Sequence, residues 1–204
     1  MAVIDSILEN LRMEVELSGK SGADGVYLRN LNFTIRKEDF DYPEDCDFDG
    51  AIVDFDWFWK CSQKGISIPC PSPGKSFWIR IWGDKVQPYG YTWRVNQLLD
   101  NLSNPVTGRK GVLFNSTSPC DPPATLSYQF FVSEKNRLDI TITMRTCDMA
   151  NVLVQDVTMS FLLLKQISQL MDMGPGDMTF NIADAHVFYE SLRITDSYEF
   201  DVGL

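Results

Sequence analysis

Residues 138–176 read LDITITMRTCDMANVLVQDVTMSFLLLKQISQLMDMGPG, and the reading of this stretch decides the fold. Leu138, Ile140, Ile142 and Met144 fall on alternate positions, which predicts a strand over 138–145 with one apolar face. Residues 157–171 are apolar nearly all round, which predicts a helix buried in the interior rather than an amphipathic one at the surface. Between the two lies the polar run Arg145-Thr146-Cys147-Asp148. Gly174-Pro175-Gly176 breaks the helix.

Upstream, residues 112–115 and 126–133 carry further strand patterns; downstream, 178–184 and 192–200 do so. The opening stretch 3–17 places Ile4, Ile7, Leu8, Leu11 and Val15 at helical spacing, and Val26 to Ile35 alternates as a strand. Residues 51–60 (AIVDFDWFWK) are strongly apolar around Asp54 and Asp56, and the pattern fits helix or strand. Residues 65–76 are rich in Pro, Gly and Ser and predict a loop. Its Gly74-Lys75-Ser76 is no phosphate loop, because that motif needs a glycine where Pro69 stands. Strands and helices without regular βαβ alternation make the class α+β: a mixed sheet packed with helices around one long buried helix, in a single domain over 1–204.

Of the 204 residues, 44% are apolar and 12% aromatic, enough for a substantial core and against disorder. With 18 Lys plus Arg against 28 Asp plus Glu, the formal charge is −10, which repels a polyanion and argues against nucleic acid as partner. No window reaches the length of a membrane span, and the start lacks a basic region followed by an apolar run, so the expected compartment is the cytoplasm. Five cysteines, Cys46, Cys61, Cys70, Cys120 and Cys147, show no C-x-x-C spacing, and His186 is the single histidine. That set argues against a metal site and a disulfide framework.

Four pieces arrive in a telling order: Ser118-Pro119-Cys120 before a strand, Arg145-Thr146-Cys147-Asp148 after the next, Gly174-Pro175-Gly176-Asp177, and Ala183-Asp184-Ala185-His186. Upstream stand Pro88-Tyr89-Gly90-Tyr91-Thr92-Trp93-Arg94 and Asn104-Pro105 to Arg109. As an ordered set these resemble the thymidylate synthase family over about residues 50–190. The resemblance implies a homodimer that binds a pyrimidine nucleoside monophosphate and 5,10-methylenetetrahydrofolate. It makes Cys120 the nucleophile at carbon 6 of the base, a role that needs a thiolate near cations. Cys147 is then a structural thiol. Arg145 and Arg109 are the phosphate ligands by charge and fork geometry, Arg109 in the partner's site, with Lys20 third. Thr146 joins the phosphate, Asp148 anchors the ring or a folate, and His186 binds the sugar. Asp54 organises water for proton transfer, with Asp56 the competing assignment, and Tyr89 helps remove the carbon 5 proton.

Departures from the family pattern sharpen the expectation. Position 156 is Asp where the synthases carry Asn. A carboxylate accepts from the 4-amino group of cytosine but opposes the O4 of uracil, acceptor against acceptor. The resemblance thus shifts toward the cytidylate hydroxymethylase branch, acting on CMP or dCMP; the plainer reading makes Asp156 an N-cap before Val157 and Thr158. Asp121 replaces the histidine after the nucleophile, and Phe188 replaces a sugar-binding tyrosine. Asn151-Val152-Leu153-Val154-Gln155 replaces the Leu-Gly-x-Pro-Phe run on the folate side, and the C-terminal segment is short. Two other expectations stand beside hydroxymethylation: a folate-independent reaction through Cys120, and a catalytically silent homologue that binds nucleotide or pairs with another subunit.

Overall fold

The computed structural model describes residues 3–83, 86, 89–115, 123–133 and 136–192, with the side chains of Tyr89 and Thr107 outside the described set. Cys120, Asp121 and most of the strand expected over 192–200 lie outside it.

The buried helix and its flanking strands form the centre. Strand β5 (Arg137–Met144) buries every second residue, Leu138, Ile140, Ile142 and Met144. The two-residue β6 (Cys147–Asp148) follows, then α5 (Leu153–Leu170), then the long β7 (Gly174–Phe188). Both β5 and β6 pair with β7 in parallel, so α5 is the crossover that a parallel pair requires. Its Val157, Leu163, Leu164 and Ile167 are buried in the common core with Phe180 and Ile182 of β7.

The remaining strands are β1 (Lys20–Ser21), β2 (Gly25–Ile35), β3 (Lys110–Phe114) and β4 (Thr125–Val132). The sheet order is β1-β2-β7-β5-β4-β3, antiparallel throughout this path except between β7 and β5. One face carries the core. The other presents directly paired rows, Val112–Gln129–Thr141–Thr179–Thr34 among them, that stay exposed or half-buried.

Helix α1 (Val3–Ser18) buries Ile4, Leu8, Leu11 and Val15, as its spacing predicts. The ambiguous stretch at 51–60 is helical within α2 (Phe48–Lys64), capped by the Asp47 side chain on Gly50 N and closed by Gly65 at φ 64°. Two short helices were not legible: α3 (Phe77–Trp82) and α4 (Val95–Ser103). The Gly-Pro-Gly stretch ends the helix but also opens β7, four residues before sequence periodicity shows it: β7 starts at Gly174, not 178 as expected. A side chain at Gly176 would come within 1.8 Å of Asp139 Oδ1, which accepts the N–H of Asp177 at 3.0 Å. Close backbone approach, not a loop, explains that glycine. No described helix is long and apolar enough to cross a membrane.

Since Leu164 is fully buried in α5, Leu164→Ala is expected to destabilise the chain by about 3 kcal/mol, read as a lower denaturant midpoint at unchanged slope.

Candidate active site

The site is built where β6 meets β7 and α5 begins. Register places Cys147 opposite Ala185 and Asp148 opposite His186. Met149 N then donates to His186 O at 2.9 Å, locking the turn onto β7. The chain enters α5 at once, four residues before the start expected from apolarity. That shift corrects the plainer reading of position 156: the N-cap position is Val152, and Asp156 lies inside the first turn. An acid there is favoured by the helix N-terminus, but it caps nothing.

Asp156 turns instead to Cys147, whose thiol donates to its Oδ2 at 3.8 Å. Burial pushes the Asp156 carboxyl up to about 7, and the thiol contact pulls slightly the other way. Burial first, then the charges of Asp156 and Asp148, raise the Cys147 thiol well above its ordinary value. A thiol held protonated and buried cannot serve as the nucleophile, so Cys147 is structural, as its motif implied.

His186 is 9% exposed, its ring stacked on Tyr27 at 5.7 Å and met edge-on by Phe188 at 4.8 Å. Its Nδ1 lies 3.2 Å from Thr146 Oγ1. Aromatic contacts on two sides and a hydroxyl on Nδ1 leave Nε2 as the ring atom for another partner. Tyr27 was missed in the sequence; its place opposite His186 in β2 follows from register alone. Through that register Lys20, Tyr27, His186 and Asp148 form one row across four strands. Lys20 therefore stands two strand spacings, roughly 10 Å, from His186, although more than 160 residues separate them in sequence.

Arg145 is exposed, and its backbone N–H donates to Ala124 O at 2.7 Å. Arg109, also exposed and at φ 53° after Gly108, accepts from Val132 N at 3.1 Å. The two arginines thus sit at opposite ends of β4, separated by roughly 26 Å of extended chain. One nucleotide cannot span them within a single chain.

On the other side of Cys120, Asn115 marks the last described residue. Its Oδ1 accepts from Trp93 Nε1 at 2.7 Å and its amide donates to Thr125 O at 2.8 Å. Gly90 explains part of the Tyr-Gly motif: a Cβ there would meet Phe58 O at 1.9 Å, so only glycine lets this turn press on α2.

Asp54 has a different setting from the one expected. It is fully buried and accepts from Ser76 Oγ and, at 3.1 Å, from Trp78 N, holding the start of α3. Burial raises its carboxyl, and these donors oppose the rise. Asp56 is exposed and paired with Lys60 one turn on. The loop triplet Gly74-Lys75-Ser76 owes its serine to the same cap. The structure therefore joins Thr146, Cys147, Asp148, Asp156 and His186, aligns Lys20 with them, and sets Asp54 and Asp56 to other tasks. Tyr89 opens a 3-10 turn, Tyr89–Thr92.

The polar turn of β6, His186 and Gly90 all lie within the stretch that a family model covers. Residues 76–197 fit the family model described as thymidylate synthase, more than half the chain. The chain belongs to the thymidylate synthase family. Thymidylate synthase of Saccharomyces cerevisiae is 26% identical over 191 residues, covering 70% of this chain and 62% of that protein. The enzyme of that name from Rhodopseudomonas palustris is 25% identical over 130 residues, covering 54% and 43%. A bifunctional dihydrofolate reductase-thymidylate synthase of Zea mays is 26% identical over 183 residues, covering 71% and 35%. The chain thus spans less than two thirds of the length of these relatives.

The thymidylate synthase family uses methylenetetrahydrofolate as its one-carbon donor. The donor set at Asp148 fits such a ligand. Its Oδ1 accepts from Ala150 N at 3.0 Å and Asn151 N at 3.2 Å, its Oδ2 from the Asn151 amide at 2.8 Å, and the half-buried carboxylate keeps an acceptor site for one pterin N–H. Gln155, in the place of the family's aromatic, turns away to Cys46 and Asp47 O.

The carboxyl of Asp156 rises from an ordinary carboxylate value of 3.8 to about 7 in the fold. Between those values the folded chain binds more protons than the unfolded, so stability present below about pH 4 is lost as the pH climbs through 7. Asp156→Asn is expected to raise the melting temperature by a few degrees above that range and leave it nearly unchanged below it, as thermal scans at the two extremes measure.

Proposed function

We propose that the chain is a pyrimidine-nucleotide C5 transferase that hydroxymethylates a cytidine monophosphate, CMP or dCMP, with 5,10-methylenetetrahydrofolate. The observation that carries the reading is Asp156 at the start of α5, held by the Cys147 thiol. With Oδ2 engaged by that thiol, Oδ1 is the acceptor for a 4-amino group. A proton shared with N3 of the base suits a carboxyl that titrates near neutrality.

Cys120 supplies the thiolate that adds to carbon 6 and makes carbon 5 nucleophilic. Arg145, Thr146 and Lys20 take the phosphate, and His186, steadied by Tyr27, takes the sugar. When bound, the folate supplies the one-carbon unit that carbon 5 accepts. Asp148 orients it. Tyr89 helps remove the carbon 5 proton as tetrahydrofolate would leave with the electron pair of its bond to the one-carbon unit; water then adds to the exocyclic methylene, and elimination of Cys120 restores the ring. We assign Asp54 to holding α3 rather than to proton transfer.

A homodimer completes the site. The separation of Arg109 from Arg145 supports the reading that Arg109 reaches the partner's phosphate. The small, polar rows on the open face of the sheet, such as Thr34, Thr179 and Thr141, suit a close flat contact with a second copy. The competing readings, a folate-independent reaction through Cys120 and a silent nucleotide-binding homologue, predict different isotope behaviour.

Release of tritium from carbon 5 of labelled CMP or dCMP is expected only with the folate present, and Cys120→Ser is expected to abolish it. Release without folate would favour the folate-independent reaction; no release with nucleotide-induced thermal stabilisation would favour the silent homologue. Asp156→Asn is expected to move binding preference from cytidylate toward uridylate by about tenfold or more, as titration of CMP, dCMP, UMP and dUMP side by side measures.

A further inference from the structure

Asn151 stands where the family pattern carries leucine, and the proposed reaction gives it no task. Its side-chain nitrogen donates to Asp148 Oδ2 at 2.8 Å and to Ser191 Oγ at 3.2 Å. A primary amide has two protons, so both bonds can form at once. With Oδ1 already accepting two backbone N–H groups, three of the carboxylate's about four acceptor sites are filled, and the plane of the group is fixed. The far side of the contact is anchored too. The carbonyl of Ser191 accepts from Arg12 Nη2, and Arg12 Nε bonds Glu16 at 2.9 Å. Arg12 is only 8% exposed. Two of its donors are thus held by a carboxylate on its own helix and by the chain just beyond β7.

We propose that Asn151 is the positioning residue of Asp148: clamped by Ser191 and Arg12, it turns the carboxylate so that one remaining lone pair faces outward for a single N–H of a reduced pterin. The inference rests on the folate reading of Asp148 and deepens it. A leucine at 151 could cover the turn, but it could not orient the acid. Asn151 therefore compensates, through a hydrogen bond, for the glycine and aromatic that the same run lacks.

The test titrates 5,10-methylenetetrahydrofolate into the full chain with CMP saturating, followed by tryptophan fluorescence, with CMP affinity and the melting temperature measured alongside. Asn151→Leu is expected to weaken folate binding about tenfold, the loss of one hydrogen bond to a charged acceptor. CMP affinity is expected to stay within about twofold, as no nucleotide group is assigned to Asn151. Asn151→Asp sets a second carboxylate against Asp148, so its loss is expected to be larger and to shrink as salt is raised. Unchanged folate affinity in both variants would overturn the proposal, and so would an equal loss of CMP affinity, which marks a general disturbance of the fold. A parent chain that binds CMP but no folate would overturn the folate reading of Asp148 itself, and the proposal with it.

Discussion

Parallel pairing of β5 and β6 with β7 is the constraint on which the rest depends. Two parallel strands cannot be joined by a tight turn, so the chain must leave the sheet, cross it and return. Helix α5 is that crossing, and its apolar surface is what the sheet buries on the way. The same geometry brings Asp148 beside His186 and sets Asp156 against Cys147. The candidate site lies where the crossover begins.

Burial of Asp156 and Cys147 shapes the chemistry there. A carboxyl at the start of α5 gains from the helix N-terminus but loses more by burial, so it sits near neutrality rather than fully ionised. The neighbouring thiol moves the same way, since burial and two carboxylates all disfavour its anion. Burial thereby keeps the Cys147 thiol inert in the core. Polar side chains are matched nearly everywhere around it. Among the described residues, the buried side-chain atoms without a partner are Ser168 Oγ and Asp184 Oδ1, both outside the direct contacts that join the site.

Fixing a site by contacts from distant segments makes it rigid but hard to foresee. Tyr27 supports His186 from another strand, Trp93 steadies Asn115 from another turn, and Ser76 claims Asp54 across a loop. None of these partners has a sequence spacing that announces it. Asp54 shows the consequence: the family resemblance implied proton transfer, and only the fold shows that its carboxylate accepts from Ser76 Oγ and Trp78 N at the start of α3.

Local pattern was enough for α1, β2, β5 and the centre of α5, because burial of one face imposes a period on the chain wherever an element is long. The ordered motifs likewise identified Cys147, Asp148, Asp156 and His186 as one set. Short elements escaped, since α3 and α4 have too few turns for a period to emerge, and the start of β7 was hidden by a glycine whose reason lies across the sheet in Asp139. Register decided that Lys20 falls in line with His186, and strand length decided that Arg109 and Arg145 stand apart. Sequence determined which chemical groups this protein owns and the period of its longer elements. Which groups meet, and with what proton affinity, was decided by tertiary structure, because contact and burial are properties of neighbours that the chain brings together only on folding.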